Sequence, residues 1–286
     1  MRSSGGICVE RGRFQVSAIR LRAARFALNA AAAFSLGFIL LPLFFVTWLA
    51  FFRQEIPSFP PEGYSLQWFA AAAANKSFVD GFILSLQVGI AATLIGLLLG
   101  VPASLALVRH RIPLGPGVNT FLLLPLVMPG IVLGTATYVF QIEVEITTSV
   151  PVMGSLVGLI AAHTLVVIPW VVRLVTASLA GFDRSIEEAA QNLGAGPVTT
   201  FWRVTLPSIR PGIVAAALFG FVTSFGNLEM SLFLVGPGRT TLPIAILQYL
   251  EWKIDPTVAA ASLIQIVLIG VSMIVTDRYV KLSRVV

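Results

Sequence analysis

The sequence predicts an all-α membrane protein: a bundle of about six transmembrane helices with both termini in the cytoplasm. Three observations carry that prediction. The chain is 57% hydrophobic and only 11% charged, with mean hydropathy +0.90, whereas soluble domains carry about 25% charged residues. So much apolar sequence calls for a bilayer to bury it. Six apolar runs reach the roughly 20 residues that a membrane helix requires, and the basic residues fall overwhelmingly on one side of the runs they define.

The elements follow in order. Residues 1–25 form a basic head with Arg2, Arg11, Arg13, Arg20, Arg22 and Arg25. The first run, 26–52, is too long for a secretion signal and no small-residue cleavage site follows it, so it reads as a retained span. Residues 53–79, rich in Pro and aromatics, make the longest outer loop, with a short helical piece over Ala70–Ala74. The later spans are 82–108, 118–140, 156–180, 213–235 and 256–276. Internal prolines do not argue against helices in a membrane, because neighbouring helices re-satisfy the freed backbone groups. With the termini inside, the cytoplasmic segments hold 15 of the 19 Lys and Arg, and only Arg53, Lys76, Arg239 and Lys253 lie outside. That split is a strong positive-inside signal. The net charge of +6 therefore reflects cytoplasmic loops and not a nucleic-acid partner.

Several activities lack their residues. There is no G-x-x-x-x-G-K-[ST] phosphate cradle, so ATP hydrolysis is not expected on this chain. There is no H-E-x-x-H; with His110, His163 and the lone Cys8, no metal site and no disulfide are expected. No catalytic constellation can be argued, which leaves a polytopic enzyme without support.

The cytoplasmic break at 181–212 is the most informative stretch. Ser185-Ile186-Glu187-Glu188 fits a capping box, in which Ser185 accepts from the Glu188 N–H. Ile186, Ala190 and Leu193 share one apolar face of the helix that follows. Gly194 suits its left-handed end, and Pro197 opens a second short helix with Phe201 and Trp202, expected to end at Pro207. Such a bent pair could lie in the headgroups or dock to a partner protein. The order E-A-A, three residues, G, nine residues, an aliphatic residue, one more and L-P shifts the balance toward docking. It stands here as Glu188-Ala189-Ala190, Gly194 and Val204-Thr205-Leu206-Pro207. This pattern resembles the signature loop of the membrane subunits of binding-protein-dependent ABC importers, with Val204 where isoleucine is usual.

The resemblance covers about 64–278. Ser85-Leu86, Leu124-Pro125-Leu126 with Pro129, His163 with Pro169, Ser224-Phe225-Gly226-Asn227 and Thr241-Leu242-Pro243 are similar to the spermidine/putrescine-type branch. Where that branch often has acids, at 130 and 226, this chain has glycine. The resemblance implies a type I ABC importer permease fold over 80–280. It implies coupling through Glu188, Ala189, Ala190, Gly194, Phe201, Val204, Leu206 and Pro207 to a cytoplasmic ATPase dimer that holds ATP and Mg. A second permease subunit and a periplasmic solute-binding protein complete the expected assembly. The substrate would be small and polar, polyamine-like or amino-acid-derived.

Candidate pathway residues are Glu229, Asn227, Phe225, His163 and Trp170. Ionisable groups at membrane depth usually face a cavity or a bundle interior, so Glu229 could line the pathway, form a structural pair, or sit at the outer interface. His163 is equally readable as a packing hydrogen-bonder. Trp170 is expected near an interface, with Arg173 reaching to the cytoplasmic side. Glu143 and Glu145 are expected in an outer loop, and Gly96 and Gly100 at a helix contact. The alternative function is a self-sufficient carrier or channel. It would need its own coupling acids, of which only Glu229 is deep, and would have no use for a docking loop.

Overall fold

A computed structural model describes the backbone of residues 6–109 and 115–280, with side chains over 25–109 and 117–278. The expectations for residues 1–24, including Cys8, and for His110, Arg111, Lys281 and Arg284 fall outside the described side chains. Among the described residues the fold is all helical, apart from a single bridge between Phe52 and Tyr64.

Helix α1, Gly6–Leu49, stands largely apart and touches the bundle near its C-terminal end. Helix α2, Gln67–Ala74, lies beyond it, anchored by Trp68, whose indole N–H donates to the Phe52 carbonyl at 2.6 Å. The core is built from α3 (Lys76–Arg109), α6 (Leu156–Ala180) and α9 (Leu206–Phe225), which pack on one another more extensively than any other helices.

The sequence of α3 explains that packing. Gly81, Ser85, Gly89, Ala92, Gly96, Gly100 and Ser104 recur every three or four residues and are all buried. Lipid tails are as apolar as leucine, so helix association in a bilayer depends on close van der Waals approach, which small residues permit. A Cβ added to Gly96 would lie 2.5 Å from Cγ1 of Val167, and one added to Gly100 would lie 2.6 Å from Cγ1 of Val171. From α9, Gly212 meets α6 in the same way at Ser178. Ser104 and Thr93 return their hydroxyl protons to the carbonyls of Gly100 and Gly89, so the seam holds no unpaired hydroxyl at these positions.

Two expected spans are broken. The third run is not one helix. It comprises α4 (Gly115–Leu123), a 3-10 turn at Leu124–Leu126 and α5 (Gly130–Thr148), bent by 104°. Pro125 and Pro129 each lack an N–H, and they flank the break. Because α5 runs to Thr148, Glu143 and Glu145 are helical rather than in a loop, and Glu145 accepts from the Met153 N–H at 3.0 Å. The fifth run breaks after Phe225 and resumes as α10, Glu229–Leu234. A further helix, α11 (Leu242–Trp252), precedes the last span, α12 (Thr257–Val280). Among the described residues five helices are long and apolar enough to cross a membrane, or six if the bent pair counts as one span.

Overfilling the α3 seam forces backbone shifts that typically cost about 1–3 kcal/mol. Gly96→Leu should therefore lower the thermal unfolding midpoint in detergent by several degrees. Gly37→Leu, where an added Cβ meets nothing within 4 Å, should leave it in place. Equal midpoints for the two variants would show that the seam does not hold the bundle.

Candidate functional site

The 181–212 segment forms a platform beyond the end of the core helices. After α6, the Asp183 carboxylate accepts from the Ser185 N–H at 2.9 Å. The donation from Ser185 holds the Asp183 carboxyl below the usual carboxylate range. The cap is thus Asp183. The expected Ser185 capping box is not formed: the Glu188 N–H binds the Arg184 carbonyl, as in a helix already under way.

Helix α7, Ser185–Asn192, ends at Leu193, and Gly194 takes φ +89°. The Ala195 N–H reaches the Ala190 carbonyl, and the Gly194 N–H reaches that of Gln191. This pair of bonds satisfies the last carbonyls only when the residue at 194 is left-handed, the conformation that glycine tolerates best. Pro197 then starts α8, Pro197–Thr200.

The expected stop at Pro207 does not occur. Phe201–Thr205 form a π-helical segment, with the Leu206 N–H bonded to the Phe201 carbonyl, and the chain continues directly into α9. The wider turn shifts the bonding register just ahead of two prolines, Pro207 and Pro211, whose missing donors would interrupt a regular α-helix. The platform is therefore continuous with a core helix.

What fastens it was not evident from the sequence. Glu187, the neighbour of the signature Glu188, is buried, and its carboxylate pairs with the Arg109 guanidinium at the end of α3. Thr205 in the π segment donates to the same carboxylate oxygen, and Arg109 also donates to the Thr205 hydroxyl at 3.3 Å. Three elements, α3, α7 and the π segment, thus meet on one carboxylate. The only available signal was an acid in a first helical turn facing an arginine 78 positions earlier, a separation that no local pattern reveals.

The other signature positions face outward. Glu188 and Ala189 are exposed, and Ala190, Val204 and Leu206 are half-buried. Leu193 is 90% exposed and Trp202 62%, with Ile186 and Val198 also open. Phe201 is half-buried and meets Trp202 edge-on, ring centres 5.5 Å apart. Pro207 is exposed at the start of α9.

The residues singled out for a pathway separate into two groups. His163 is buried on α6 and bonds Ser224 Oγ of α9 through Nδ1 at 2.8 Å and Ser231 Oγ of α10 through Nε2 at 3.1 Å. Ser231 donates its own proton to the Asn227 carbonyl at 2.7 Å, so it accepts from Nε2–H, and Nδ1 accepts from Ser224. His163 is thus a tie across the fifth-span break. Phe225 is buried, stacked on Phe221 and edge-on to Phe82. Trp170 lies in the middle of α6, stacked on Phe219 at 5.3 Å, and its buried indole N–H has no partner among the described residues. In this conformation these three side chains belong to helix packing.

Glu229 and Asn227 sit at the break itself. The Asn227 amide oxygen accepts from the Met230 N–H at 2.9 Å and caps α10. Glu229 is exposed, and its carboxylate lies over Gly130, where a Cβ would clash with Oε2. Gly134, one turn on, meets Phe233 and the Glu229–Met230 backbone. The breaks of the third and fifth runs therefore abut each other, with one carboxylate between them. No group of His, Cys, Asp and Glu suited to a metal occurs among the described residues.

Comparison with known proteins places this geometry. The family described as "Binding-protein-dependent transport system inner membrane component" matches residues 92–284. The chain is 29% identical to the putrescine transport system permease protein PotI of Escherichia coli strain K12, over 73% of this chain and 75% of that one. It is 31% identical to the molybdenum transport system permease protein ModB of Mycobacterium tuberculosis strain H37Rv, over 71% and 79%. It is 27% identical to the putative 2-aminoethylphosphonate transport system permease protein PhnV of Salmonella typhimurium strain LT2, over 89% and 92%. Among solved structures, a bacterial ABC transporter that imports alginate superposes with TM-score 0.65 at 15% identity, covering 98% of this chain and 99% of that one. The MetNI methionine transporter superposes with TM-score 0.60 at 22% identity, over 71% and 94%.

Exposed ion pairs contribute about 0–1 kcal/mol, while breaking a fully buried one costs about 3–5. Arg109 is 26% exposed and Glu187 9%, so Glu187→Gln should cost on the order of 1–2 kcal/mol. Hydrogen exchange should then quicken roughly tenfold over 185–205 and remain unchanged in α3, α6 and α9. Unaltered protection over 185–205 would show that the pair does not hold the platform.

Proposed function

Because this chain belongs to the inner-membrane components of binding-protein-dependent transport systems, and is thus a permease subunit of an ABC importer rather than an enzyme, we propose that its 181–212 platform docks on the ATPase and carries its movement into the bundle. The observation that supports this most directly is the contrast within the platform. One side is fixed to α3 by Glu187, while Ile186, Leu193, Val198 and Trp202 present apolar surface on the other. Exposed apolar groups on an amphipathic helix, outside the spans and rigidly mounted, suit insertion into a groove on a partner protein. ATP and Mg are assigned to that partner.

The mechanism follows from the connections. When ATP draws the ATPase dimer together, α7 and α8 move with it. The π segment is continuous with α9, and Glu187 grips the end of α3, so movement of the platform tilts both core helices as rigid bodies. With a second permease subunit alongside, the pathway alternates between the side that receives solute from the periplasmic binding protein and the cytoplasmic side.

For cargo, the relatives named above carry putrescine, molybdenum and, putatively, 2-aminoethylphosphonate, which share small size and polarity but not charge. We assign a small polar solute, polyamine-like or amino-acid-derived. With glycine at 130 and 226, Glu229 is the single carboxylate at the abutting breaks. One carboxylate matches one ammonium group better than a chain of them, which favours the amino-acid-derived class.

Gly194→Val places a β-branched residue in left-handed backbone. The variant should insert in the membrane yet lose solute uptake and solute-stimulated ATP hydrolysis. Trp202→Ala should weaken ATPase binding roughly thirtyfold, as expected for a buried aromatic anchor. Normal uptake by Gly194→Val together with unchanged ATPase affinity for Trp202→Ala would exclude the platform as the docking element.

A further inference from the structure

At the opposite end of α3 from the platform, one helix face is polar. Ser77, Asp80, Leu84 and Gln87 follow at intervals of three, four and three residues, the spacing of a single stripe about 15 Å long. Ser77 and Asp80 precede the apolar run 82–108, Leu84 is the one apolar member, and Gln87 lies one turn into the run. The polar members meet water, a cavity or a partner. Here they line a cleft of about 860 Å3, whose far wall is the 235–241 segment with Arg239 and Thr240, and to which α11 contributes Gln248.

Both sides of the cleft are mounted firmly. The far wall is held at one end by a backbone contact between two glycines: a Cβ on Gly236 would lie 2.5 Å from the Gly154 carbonyl oxygen, and one on Gly154 would lie 2.8 Å from Gly236 Cα. At the other end the Leu242 N–H donates to Ser85 Oγ of α3 at 2.9 Å, and Gly81 lets the 241–242 backbone lie directly against the helix. The separation of α3 from Arg239 is therefore set by packing.

The charges in the cleft are not spent on each other. Neither Asp80 nor Arg239 forms an ion pair among the described residues. Arg239 has a long contact with the Gly154 carbonyl at 3.4 Å. Asp80 is exposed to the cleft, with neither a hydrogen bond nor an ion pair among the described residues. One free carboxylate, one largely free guanidinium and two amides that can donate or accept form a lining of zero net charge with separated poles.

We propose that this cleft is a solute subsite for a small zwitterion, its ammonium group toward Asp80 and its acidic group toward Arg239, with Gln87 and Gln248 contacting the portion between. The proposal rests on the permease reading and on the outer location that the charge distribution implies for this end of α3. A dication would meet Arg239 unfavourably, and a dianion would meet Asp80 unfavourably. The zwitterion alone satisfies both poles.

The lone cysteine makes a direct test possible. In a Cys8→Ser background, Gln87→Cys is introduced into the complete transporter in membrane vesicles. It is then labelled with methanethiosulfonates bearing an ammonium, a sulfonate, or both an ammonium and a carboxylate. Relative to a small free thiol, the zwitterionic reagent should react faster than either singly charged one, by on the order of tenfold. Asp80→Asn and Arg239→Gln should each remove that advantage. An unreactive Gln87→Cys, or equal relative rates for the three reagents, would overturn the proposal. Co-purification of the ATPase is followed in the same samples. Its loss in the Cys8→Ser protein would count against the permease reading, whereas its retention without reagent selectivity counts against the cleft.

Discussion

A carboxylate held at the meeting point of three helical segments braces the 181–212 platform against the bundle. Glu187 of α7 binds Arg109 at the end of α3 and accepts from Thr205 in the π segment that leads into α9. That contact adds an ion pair to the packing of α7 on α8 and on the π segment. With it, the platform is braced against α3 and against the π segment that runs into α9. The partly buried setting matters: charge pairs in water are too weak to transmit force, while one shielded by packing leaves an unpaired charge when it is broken.

The core can respond as a unit because α3, α6 and α9 meet through glycine, alanine and serine at van der Waals distance. Around that unit the helices are discontinuous. Breaks after Leu126 and after Phe225 abut at Gly130 and Glu229, and His163 spans the second by binding Ser224 on one side and Ser231 on the other. Discontinuous helices place polar backbone at membrane depth only where protein or a cavity receives it. Their convergence here gives the bundle a polar junction distinct from the tightly packed seam, with Glu229 as its one charged side chain.

The membrane class, the fourth span and the left-handed Gly194 were legible in the sequence because each has a local cause: apolar run length, or a backbone conformation that favours glycine. The breaks were less so. A hydropathy run reports composition and is blind to direction, so 118–140 and 213–235 read as single spans although Pro125, Pro129 and the Gly226–Leu228 stretch divide them. The cap moved from Ser185 to Asp183 because both residue types cap well, and the approach from α6 decided between them. Pro207 read as a stop because a regular α-helix has no use for it, whereas the π segment accommodates it. Asn227 and Glu229 do lie at a polar junction, while Phe225, His163 and Trp170 are absorbed in packing. Glu187, Arg109 and Thr205 are joined only by tertiary folding, and family pattern drew the eye to Glu188 instead.

We propose that platform movement reaches the bundle through the Arg109–Glu187 contact. A charge exchange in the assembled transporter tests it most directly, with solute-stimulated ATP hydrolysis as the readout. Arg109→Glu and Glu187→Arg should each depress stimulation by on the order of tenfold, since like charges then face each other in a partly buried site. The double variant should recover a large part of it. Full stimulation in the single variants, or a double variant no better than either single one, would show that movement does not pass through this contact.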